Sequence, residues 1–406
     1  MKNEIFKVYQ NKKVLITGNT GFKGSWMSLW LLKLGANVTG YSLEPPTTPS
    51  IYEKLRLSEK VKQYIKDIRS IDEVKKCLIE TQPEIIFHFA AQPLVRESYS
   101  FPLDTFEVNV MGTATLLEAI RELKMKTRVV CVTSDKSYEN QEWLLGYRED
   151  DPLGGHDPYS ASKGAAELVI SSYRRSFFDP ANYNSHGVKV ASVRAGNVIG
   201  GGDWAKDRIV PDCIRYLERE EEIFVRSPYA TRPWQHVLEP LGGYLILGAK
   251  LFDDTGDDSL YCDAFNFGPL ISSNRTVEVL VNEIIKNWEK GSWYYKATDS
   301  VHEASLLNLT IDKAFHLLDW QPIWDFEDTI KETVKWYKAN SQGEDVIQVT
   351  ENQIEKYQNS LTGSKKSGGV KQNLYGVCLL IPLLISKMVE FPKINSGYFF
   401  DQLYVL

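Results

Sequence analysis

The chain has 406 residues, more than one compact core usually holds, and its 43% hydrophobic and 25% charged residues are ordinary for a globular protein. Its formal net charge of −6 argues against general nucleic-acid binding, although local arginines could still bind a phosphate group. The first thirteen residues, MKNEIFKVYQNKK, contain no apolar signal segment, so we expect a cytoplasmic protein without a membrane span.

The cysteines and histidines give no sign of disulfides or of a metal site. The five cysteines are scattered without C-x-x-C spacing, and the six histidines lack the spacing of metal ligands. We therefore expect buried free thiols and no bound metal. The cysteines are Cys77, Cys131, Cys213, Cys262 and Cys378.

Strands and helices alternate through the first half of the chain. Short apolar runs predict strands at residues 13–17, 37–43, 61–65, 84–89, 128–133 and 189–194. Longer runs with helical character predict helices at residues 26–34, 71–81, 106–123 and 159–177. This alternation predicts an α/β fold, with a doubly wound parallel sheet of the Rossmann type.

After Gly200 the alternation loosens, which predicts a second, smaller mixed α/β domain for the substrate. Helical segments are predicted at residues 208–218, 234–251, 277–288, 312–318 and 326–337. We expect residues 1–198 and 234–252 to form the dinucleotide-binding domain, and residues 199–233 and 253–345 the substrate domain.

Residues 361–406 form an atypical tail that we expect to be poorly ordered. It starts with a Gly/Ser/Lys linker that ends at Asn373. The apolar run 374–385 contains Pro382 and is shorter than the span of about 20 residues that a bilayer requires.

Three glycines, Gly18, Gly21 and Gly24, join the first predicted strand to the first predicted helix. Glycines at such a turn let the backbone approach a pyrophosphate, and the helix N-terminus stabilises its negative charge. A plain loop could carry the same glycines, but the flanking strand and helix favour dinucleotide binding.

The residues after the second strand bear on the choice of cofactor. A carboxylate about 20 residues after the glycines usually binds the ribose diol of NAD. Glu44 has that spacing but stands before two prolines, so Ser42 could serve instead. No Arg or Lys adjoins this strand end to hold a 2′-phosphate, which favours NAD. Asp67 and Ile68 could flank the adenine, although Asp67 equally fits a solvated turn.

Tyr159 and Lys163 are four residues apart at the start of a predicted helix that Asp157 can cap and Pro158 can begin. The spacing puts both side chains on one face, where a Lys ammonium stabilises a phenolate and lowers the Tyr pKa from about 10. A surface Tyr and Lys on an amphipathic helix would look the same. The dinucleotide loop earlier in the chain favours catalysis.

Ser134, Asp135 and Lys136 follow a predicted central strand, at the carboxyl edge where ligands bind in such sheets. The carboxyl group offers an acid and the amine a base. Beside a phenolic base, this pair indicates oxidation of an alcohol coupled to elimination of water. Alone, Asp135 and Lys136 would be interpreted as an exposed ion pair.

Two arginines in the second half, Arg208 and Arg232, are candidates for binding a substrate pyrophosphate. A planar guanidinium binds phosphate oxygens in bidentate fashion. Ordinary surface charge explains each arginine equally well when it is considered alone.

Several strings resemble the extended short-chain dehydrogenase/reductases, namely T-G-N-T-G-F-K-G at 17–24, H-F-A-A-Q at 88–92, N-V-M-G-T at 109–113 and Y-S-A-S-K at 159–163. Longer strings resemble the nucleotide-sugar 4,6-dehydratases of that family, and among these the ones that act on CDP-glucose. They are S-D-K-S-Y at 134–138, R-A-G-N-V-I-G-G-G-D-W at 194–204 and R-P-W-Q-H-V at 232–237. The resemblance covers about Ile5 to Tyr357.

The resemblance implies NAD-dependent conversion of CDP-glucose to CDP-4-keto-6-deoxyglucose for bacterial surface polysaccharide (O-antigen), in a homodimer or higher homo-oligomer. Tyr159 would deprotonate the C4 hydroxyl, with Ser134 hydrogen-bonded to the same oxygen and Lys163 supporting the Tyr. Lys136 would take the C5 proton, and Asp135 would protonate the departing C6 hydroxyl. The related dTDP-glucose enzymes have Glu at the position of Lys136.

The resemblance also implies the remaining site residues. The expected cofactor-binding residues are Gly18, Thr20, Gly21, Phe22, Gly24, Ser42, Asp67, Ile68, Ala90, Ala91, Gln92, Asn109, Thr133, Tyr159 and Lys163. The expected substrate-binding residues are Asn197, Arg208 and Arg232.

Two other functions fit part of the pattern. A nucleotide-sugar 4-epimerase needs Ser134 and Tyr159 but no Asp135–Lys136 pair. A non-catalytic NAD-binding protein on the same fold would not need a complete Ser-Tyr-Lys set.

Overall fold

Seven parallel strands form the central sheet of the computed structural model, which describes residues 2–253, 258–296 and 306–363. The strand order is β11-β6-β5-β4-β1-β2-β3. The strands are β1 (Lys13–Thr17), β2 (Asn37–Ser42), β3 (Lys62–Ile65), β4 (Ile85–His88), β5 (Thr127–Val132), β6 (Val188–Arg194) and β11 (Ala264–Asn266). The predicted α/β fold with a doubly wound parallel sheet is confirmed.

Helices cover both faces of this sheet, which explains why its central strands are continuous apolar runs. Every residue of β4 and of β6 is buried. The helices are α1 (Lys2–Phe6), α2 (Phe22–Lys33), α3 (Ile51–Lys54), α4 (Ile71–Thr81), α5 (Val95–Ser100), α6 (Pro102–Phe106), α7 (Gly112–Glu122), α8 (Pro158–Ser176), α9 (Tyr183–His186), α10 (Ile209–Glu218), α11 (Leu238–Lys250), α12 (Val277–Trp288), α13 (Asp312–Leu318), α14 (Phe326–Ser341) and α15 (Val346–Gly363). Helices α4, α7 and α8 pack together, while α11 packs on α2 and α15.

The short strands after β6 form three two-stranded pairs: β7 (Val198–Ile199) with β10 (Gln235–His236), β8 (Ile223–Val225) with β13 (Trp293–Tyr295), and β9 (Thr231–Pro233) with β12 (Asn274–Thr276). Residues 1–363 form one compact unit, the first of the two into which the chain divides. The division of the first unit into two domains therefore stays a prediction. Strand β11 belongs to the central sheet, although its residues were expected in the substrate domain.

The predicted strands and most predicted helices are confirmed within a few residues. The predicted helix 106–123 differs, because a π-helical turn at Glu107–Met111 interrupts it and buries Asn109. The predicted helix 234–251 is also different, since it begins as strand β10 and turns helical only at Leu238.

Helix α15 was missed, because its sequence is mostly polar. It packs on the core through Tyr357, whose hydroxyl donates to Glu239 Oε2 at 2.8 Å, and through the buried side chain of Leu361. The predicted linker therefore starts too early, at Leu361. The rest of the tail lies outside the described residues, as does its expected disorder.

The expected free thiols and the expected lack of a membrane span can be compared with the described residues. Cys77, Cys131, Cys213 and Cys262 are buried, and none of the four is in a disulfide; Cys378 lies outside the described part. No described helix is both long enough and apolar enough to cross a bilayer.

Removing residues 364–406 should leave the protein folded and its expected activity intact. The hydrophobic clusters that cover both faces of the sheet are complete by Leu361. A chain ending at Gly363 should therefore keep the thermal midpoint and the turnover of the full chain. A chain cut after Ser360 is the matched comparison, since it loses the buried Leu361 and should melt earlier. A lower midpoint or lost turnover in the chain ending at Gly363 would show that the tail contributes.

Candidate active site

The carboxyl ends of the central strands open into a cavity of about 870 Å³. Its walls include all the predicted catalytic and substrate-binding residues. They also include the predicted cofactor residues except Gln92 and Asn109, namely Gly18, Thr20, Gly21, Phe22, Gly24, Ser42, Asp67, Ile68, Ala90, Ala91, Thr133, Tyr159 and Lys163.

The glycine loop after β1 is a cradle that side chains would fill. Gly18 has φ +74°, and a Cβ there would lie 2.7 Å from the backbone nitrogen of Ala90. A Cβ on Gly24 would lie 2.2 Å from the carbonyl oxygen of Gly18. Helix α2 begins at Phe22, so its free backbone N–H groups face this cradle. The loop therefore fits the pyrophosphate of a dinucleotide.

Ser42 and Glu44 line the cavity after β2. The Ser42 hydroxyl donates to Asn19 Oδ1 at 2.9 Å and is buried, whereas Glu44 is exposed. Both positions allow hydrogen bonds to a ribose diol.

Charges near Asp67 bear on the choice between NAD and NADP. Hydrogen bonds from Arg69 hold the pKa of Asp67 below its usual range, and Arg69 Nη2 lies 2.6 Å from Asp67 Oδ2. Lys66, which lines the cavity here, is paired with Glu73 at 3.2 Å. Both cations thus have carboxylate partners, which favours a ribose diol over a 2′-phosphate.

Gln92 and Asn109 do not line the cavity, and their binding of the cofactor stays a prediction. Asn109 Oδ1 accepts the backbone N–H of Gln92 at 2.8 Å, and Asn109 Nδ2 donates to Ser162 Oγ at 2.9 Å. Asn109 thus ties the loop after β4 to helix α8. The π-helical turn turns this side chain inward, which the sequence pattern did not indicate.

Tyr159 and Lys163 lie on the first turns of α8, whose N-terminus Asp157 caps through the backbone N–H of Ser160 at 2.9 Å. Both are buried, and Lys163 Nζ lies 6.0 Å from the centre of the Tyr159 ring. Burial raises the pKa of Tyr159 to about 12, although a hydrogen bond with Ser134 opposes this. Lys163 was expected to lower the pKa of Tyr159. That pKa is instead raised, because desolvation is the larger effect.

Ser134, Asp135 and Lys136 form a tight turn at the end of β5. The Ser134 hydroxyl donates to Asp135 Oδ1 at 3.0 Å and accepts the backbone N–H of Lys136 at 3.2 Å. Asp135 is buried against Gly196, where a Cβ would lie 1.7 Å from Asp135 Oδ2. The carboxyl group thus occupies a space that exists only because residue 196 is glycine. Gly196 stands in the string at 194–204, but no role in the site was predicted for it.

The predicted substrate residues border a second, adjoining cavity of about 620 Å³. Asn197, Arg208 and Arg232 line both cavities. Arg208 Nη1 lies 2.8 Å from the buried Asp203, whose charge raises the pKa of Arg208. This ion pair holds the guanidinium at the junction between the two cavities.

Lys23 is a further cavity residue. It stands in the string at 17–24, but no role in the site was predicted for it. It is in the first turn of α2 and lines the larger cavity. Burial and the nearby charge of Arg208 lower its pKa to about 8. Burial and the charge of Lys23 likewise lower the pKa of Lys163 to about 8. A lysine inside an otherwise apolar stretch, F-K-G-S-W-M, was the available signal.

The fold and this Ser-Tyr-Lys site define a short-chain dehydrogenase/reductase that modifies nucleotide sugars, and the comparisons agree. Residues 15–333 match the family model described as GDP-mannose 4,6 dehydratase. A CDP-glucose 4,6-dehydratase from Salmonella typhimurium is 48% identical over 355 residues, which are 87% of this chain and 98% of that protein. A dTDP-D-glucose 4,6-dehydratase from Mus musculus is 25% identical, over 81% of this chain and 89% of that protein.

Solved structures share the fold at lower identity. The dTDP-glucose 4,6-dehydratase DesIV from Streptomyces venezuelae, determined with NAD bound, has a TM-score of 0.68 at 23% identity and covers 82% of this chain and 98% of its own. Epimerase Mth375 from Methanothermobacter thermautotrophicus has a TM-score of 0.68 at 22% identity, covering 88% and 98%. The chain belongs to the GDP-mannose 4,6-dehydratase family of nucleotide-sugar dehydratases.

Replacing Tyr159 by Phe should nearly abolish turnover and leave NAD binding intact. The ring keeps its packing, but the acid–base group is lost, which should lower kcat by about 10²–10⁴-fold. Steady-state kinetics and NAD titration measure the two effects. A loss of only about tenfold, worth about 1.4 kcal/mol, would show that another group is the base.

Replacing Lys23 by Met should change how the rate of cofactor reduction depends on pH. The fall of this rate at alkaline pH, its alkaline limb, should move to higher pH. Lys163 supports the Tyr159 phenolate only while it is protonated, so this rate falls as pH rises through the Lys163 pKa. Removing the Lys23 charge raises that pKa. Single-turnover absorbance measured against pH tests this.

Lys33→Met is the matched control, because it removes a charge from the last turn of the same helix. It should leave the limb where it is. An unchanged limb in Lys23→Met, or one moved to lower pH, would contradict the assignment.

Proposed function

We propose that the protein is an NAD-dependent CDP-glucose 4,6-dehydratase that forms CDP-4-keto-6-deoxyglucose. The observation that carries the proposal is the turn Ser134–Lys136, with Asp135 buried and Lys136 half-buried, which places a carboxyl group and an amine in the same cavity as Tyr159 and Lys163. The 48% identical relative is named for this activity, which supports CDP-glucose as the substrate.

The glycine cradle of Gly18, Gly21 and Gly24 would hold NAD⁺, which would supply a hydride acceptor for C4 and the hydride for C6. The protein's part in the oxidation is to hold and move one proton. Tyr159 takes the proton of the C4 hydroxyl, and the Ser134 hydroxyl hydrogen-bonds the same oxygen. The Lys163 ammonium stabilises the phenolate. The product of this step is a C4 ketone.

The ketone acidifies the C5–H bond, and the second acid–base pair then acts. The Lys136 amine takes the C5 proton, while the protonated Asp135 carboxyl group gives its proton to the C6 hydroxyl, which leaves as water. The new C5=C6 double bond takes the hydride at C6 and takes the proton back from Lys136 at C5. The proton that Tyr159 gained is released to solvent, and Asp135 takes one up from solvent. One water is lost in each turnover and the cofactor regains its starting state.

A 4-epimerase is the alternative, since epimerases share this fold. An epimerase has no leaving group to protonate and needs no buried carboxyl group beside Ser134. The space that Gly196 provides for Asp135 therefore favours dehydration.

Incubation with CDP-, dTDP- and GDP-sugars tests both the reaction and the nucleotide. We expect an alkali-sensitive 4-keto-6-deoxy product from CDP-glucose and little from the others. A C4 epimer without loss of water would establish the epimerase instead. A preference for another nucleotide would overturn the choice of cytidine alone.

Asp135→Asn and Lys136→Met should each oxidise C4 and then stall. Both groups act only after the ketone has formed, so the absorbance of the reduced nicotinamide should rise on adding CDP-glucose, without 6-deoxy product. The loss of general acid–base help should slow overall turnover by about 10²–10⁴-fold.

Two other results would be decisive. If neither variant reduces the cofactor although both bind substrate, the pair acts in the oxidation step. If both turn over normally, Asp135 and Lys136 are not catalytic.

The same proposal includes a homodimer and a cytoplasmic location. Leu103 on α6, Met111 in the π-helical turn and Leu168 on α8 are 77%, 57% and 61% exposed, and α6 packs on α8. Exposed apolar side chains on packed helices are typical of an interface between protein chains. The four cysteines in the described part of the chain are buried and free of disulfides, which fits a reducing compartment. Sedimentation of Leu168→Glu as a monomer would support the dimer.

A further inference from the structure

A buried ion pair lies behind the proposed catalytic groups and takes no part in the steps above. Glu167 on α8 and Arg194 at the end of β6 are 3% exposed each, and Arg194 Nη2 lies 3.0 Å from Glu167 Oε2. Burying two charges is costly unless both are fully hydrogen-bonded, and an apolar pair of similar volume is often as stable. The pair therefore calls for an explanation beyond stability.

Glu167 joins three elements of the site. Its Oε1 accepts the hydroxyl proton of Thr133, the residue before Ser134, and its Oε2 accepts the hydroxyl of Ser192 on β6 at 2.7 Å. Glu167 is also one helical turn after Lys163 on α8. One carboxylate thus links the catalytic helix to the start of the Ser134 turn.

Arg194 binds the other end of that turn. Its Nη1 donates to Tyr138 Oη at 2.6 Å and to the carbonyl oxygen of Glu149 at 2.8 Å. The Tyr138 hydroxyl in turn donates to Asn266 Oδ1 at 2.7 Å. Tyr138 directly follows the 3₁₀ turn Asp135–Ser137, so the ion pair fixes the segment from both sides.

We propose that Glu167 is a positioning residue of the dehydration, because its contacts with Arg194, Thr133 and Ser192 fix the acid–base turn relative to the catalytic helix. This rests on the function proposed above. Oxidation uses Tyr159 and Lys163 from the helix, whereas elimination uses Asp135 and Lys136 from the turn. Both must reach adjacent carbons of one sugar, so their relative placement sets the rate.

The carboxylate also acts on Lys163 through its charge. Five titratable groups of the described residues face Lys163: Lys23 from α2, His88 from β4, Cys131 from β5, and Tyr159 and Glu167 on its own helix. Burial lowers the pKa of His88 to about 3 and raises that of the Cys131 thiol, so both are neutral. The attraction of Glu167 is therefore the one that keeps the ammonium protonated against burial and Lys23.

The test uses Glu167→Gln/Arg194→Met in the full chain, since the double change leaves neither charge buried without its partner. Steady-state kinetics with CDP-glucose and NAD titration separate binding from turnover. Single-turnover cofactor reduction against pH reports the charge of Lys163. Circular dichroism with a thermal melt establishes that the variant is folded.

We expect kcat to fall on the order of 10²-fold, the cost of a misplacement of about 1 Å, with KM and NAD affinity nearly unchanged. The alkaline limb of cofactor reduction should move to lower pH, because Lys163 loses its attracting charge. Thr133→Val keeps the charge and removes one hydrogen bond. It should lower kcat and leave the alkaline limb in place. Thr133→Val therefore also tests the positioning role if the double variant does not fold.

The matched control is Asp263→Asn, which breaks the pair of Asp263 with Arg174 at the far end of α8, joined at 3.0 Å. It should lower the thermal midpoint without altering kcat or the limb. The proposal would be overturned if the folded double variant kept the wild-type kcat and the wild-type alkaline limb. It would also be overturned if Asp263→Asn shifted that limb by the same amount. Absence of dehydration by the wild-type protein would instead refute the proposed function.

Discussion

The site depends on the parallel register of the central strands, which brings their carboxyl ends to one level. Thr17 of β1 pairs with His88 of β4, and His88 pairs with Cys131 of β5. Hydrogen bonds reinforce this level, since Thr17 Oγ1 lies 2.7 Å from His88 Nδ1. The glycine cradle, the loop after β4 and the Ser134 turn each begin directly beyond these residues. A one-residue shift of any strand would move its loop out of the cavity.

The register explains where the site is, and burial explains its charges. Lys23, Lys163 and Arg208 line one cavity together with Asp135 and Asp203, and Glu167 lies behind it. Partial desolvation makes each charge act strongly on its neighbours. The pKa of Lys163 therefore depends on the charge of Glu167, one helical turn away. The same field suits a substrate and a cofactor that both carry a pyrophosphate.

The sequence predicted the central sheet well because its signals are local. Apolar runs such as β4 and β6 are short and bounded, and the glycine loop follows its strand directly. The candidate cofactor and catalytic residues could be proposed from the sequence because most of them adjoin a strand end or a helix start. Asp157, for example, caps α8 as its sequence position predicts.

The missed features depend on contacts between distant segments. Asn109 lies in a pattern typical of a plain helix, and the π-helical turn that directs it to Ser162 is set by packing against α8. Strand β11 is three residues long and gains its place only by pairing with β6. The raised pKa of Tyr159 follows from burial, which a spacing of four residues cannot report.

The shared fold does not decide between dehydration and epimerisation, because a solved dehydratase and a solved epimerase superpose on this chain with the same TM-score of 0.68. The difference must lie in a few atoms at the strand ends. In the proposed function the decisive pair is Asp135 and Gly196, which follow β5 and β6. A side chain at 196 would displace the carboxyl group from its position beside Ser134. The backbone of one strand end thus makes room for the acid that the neighbouring strand end supplies.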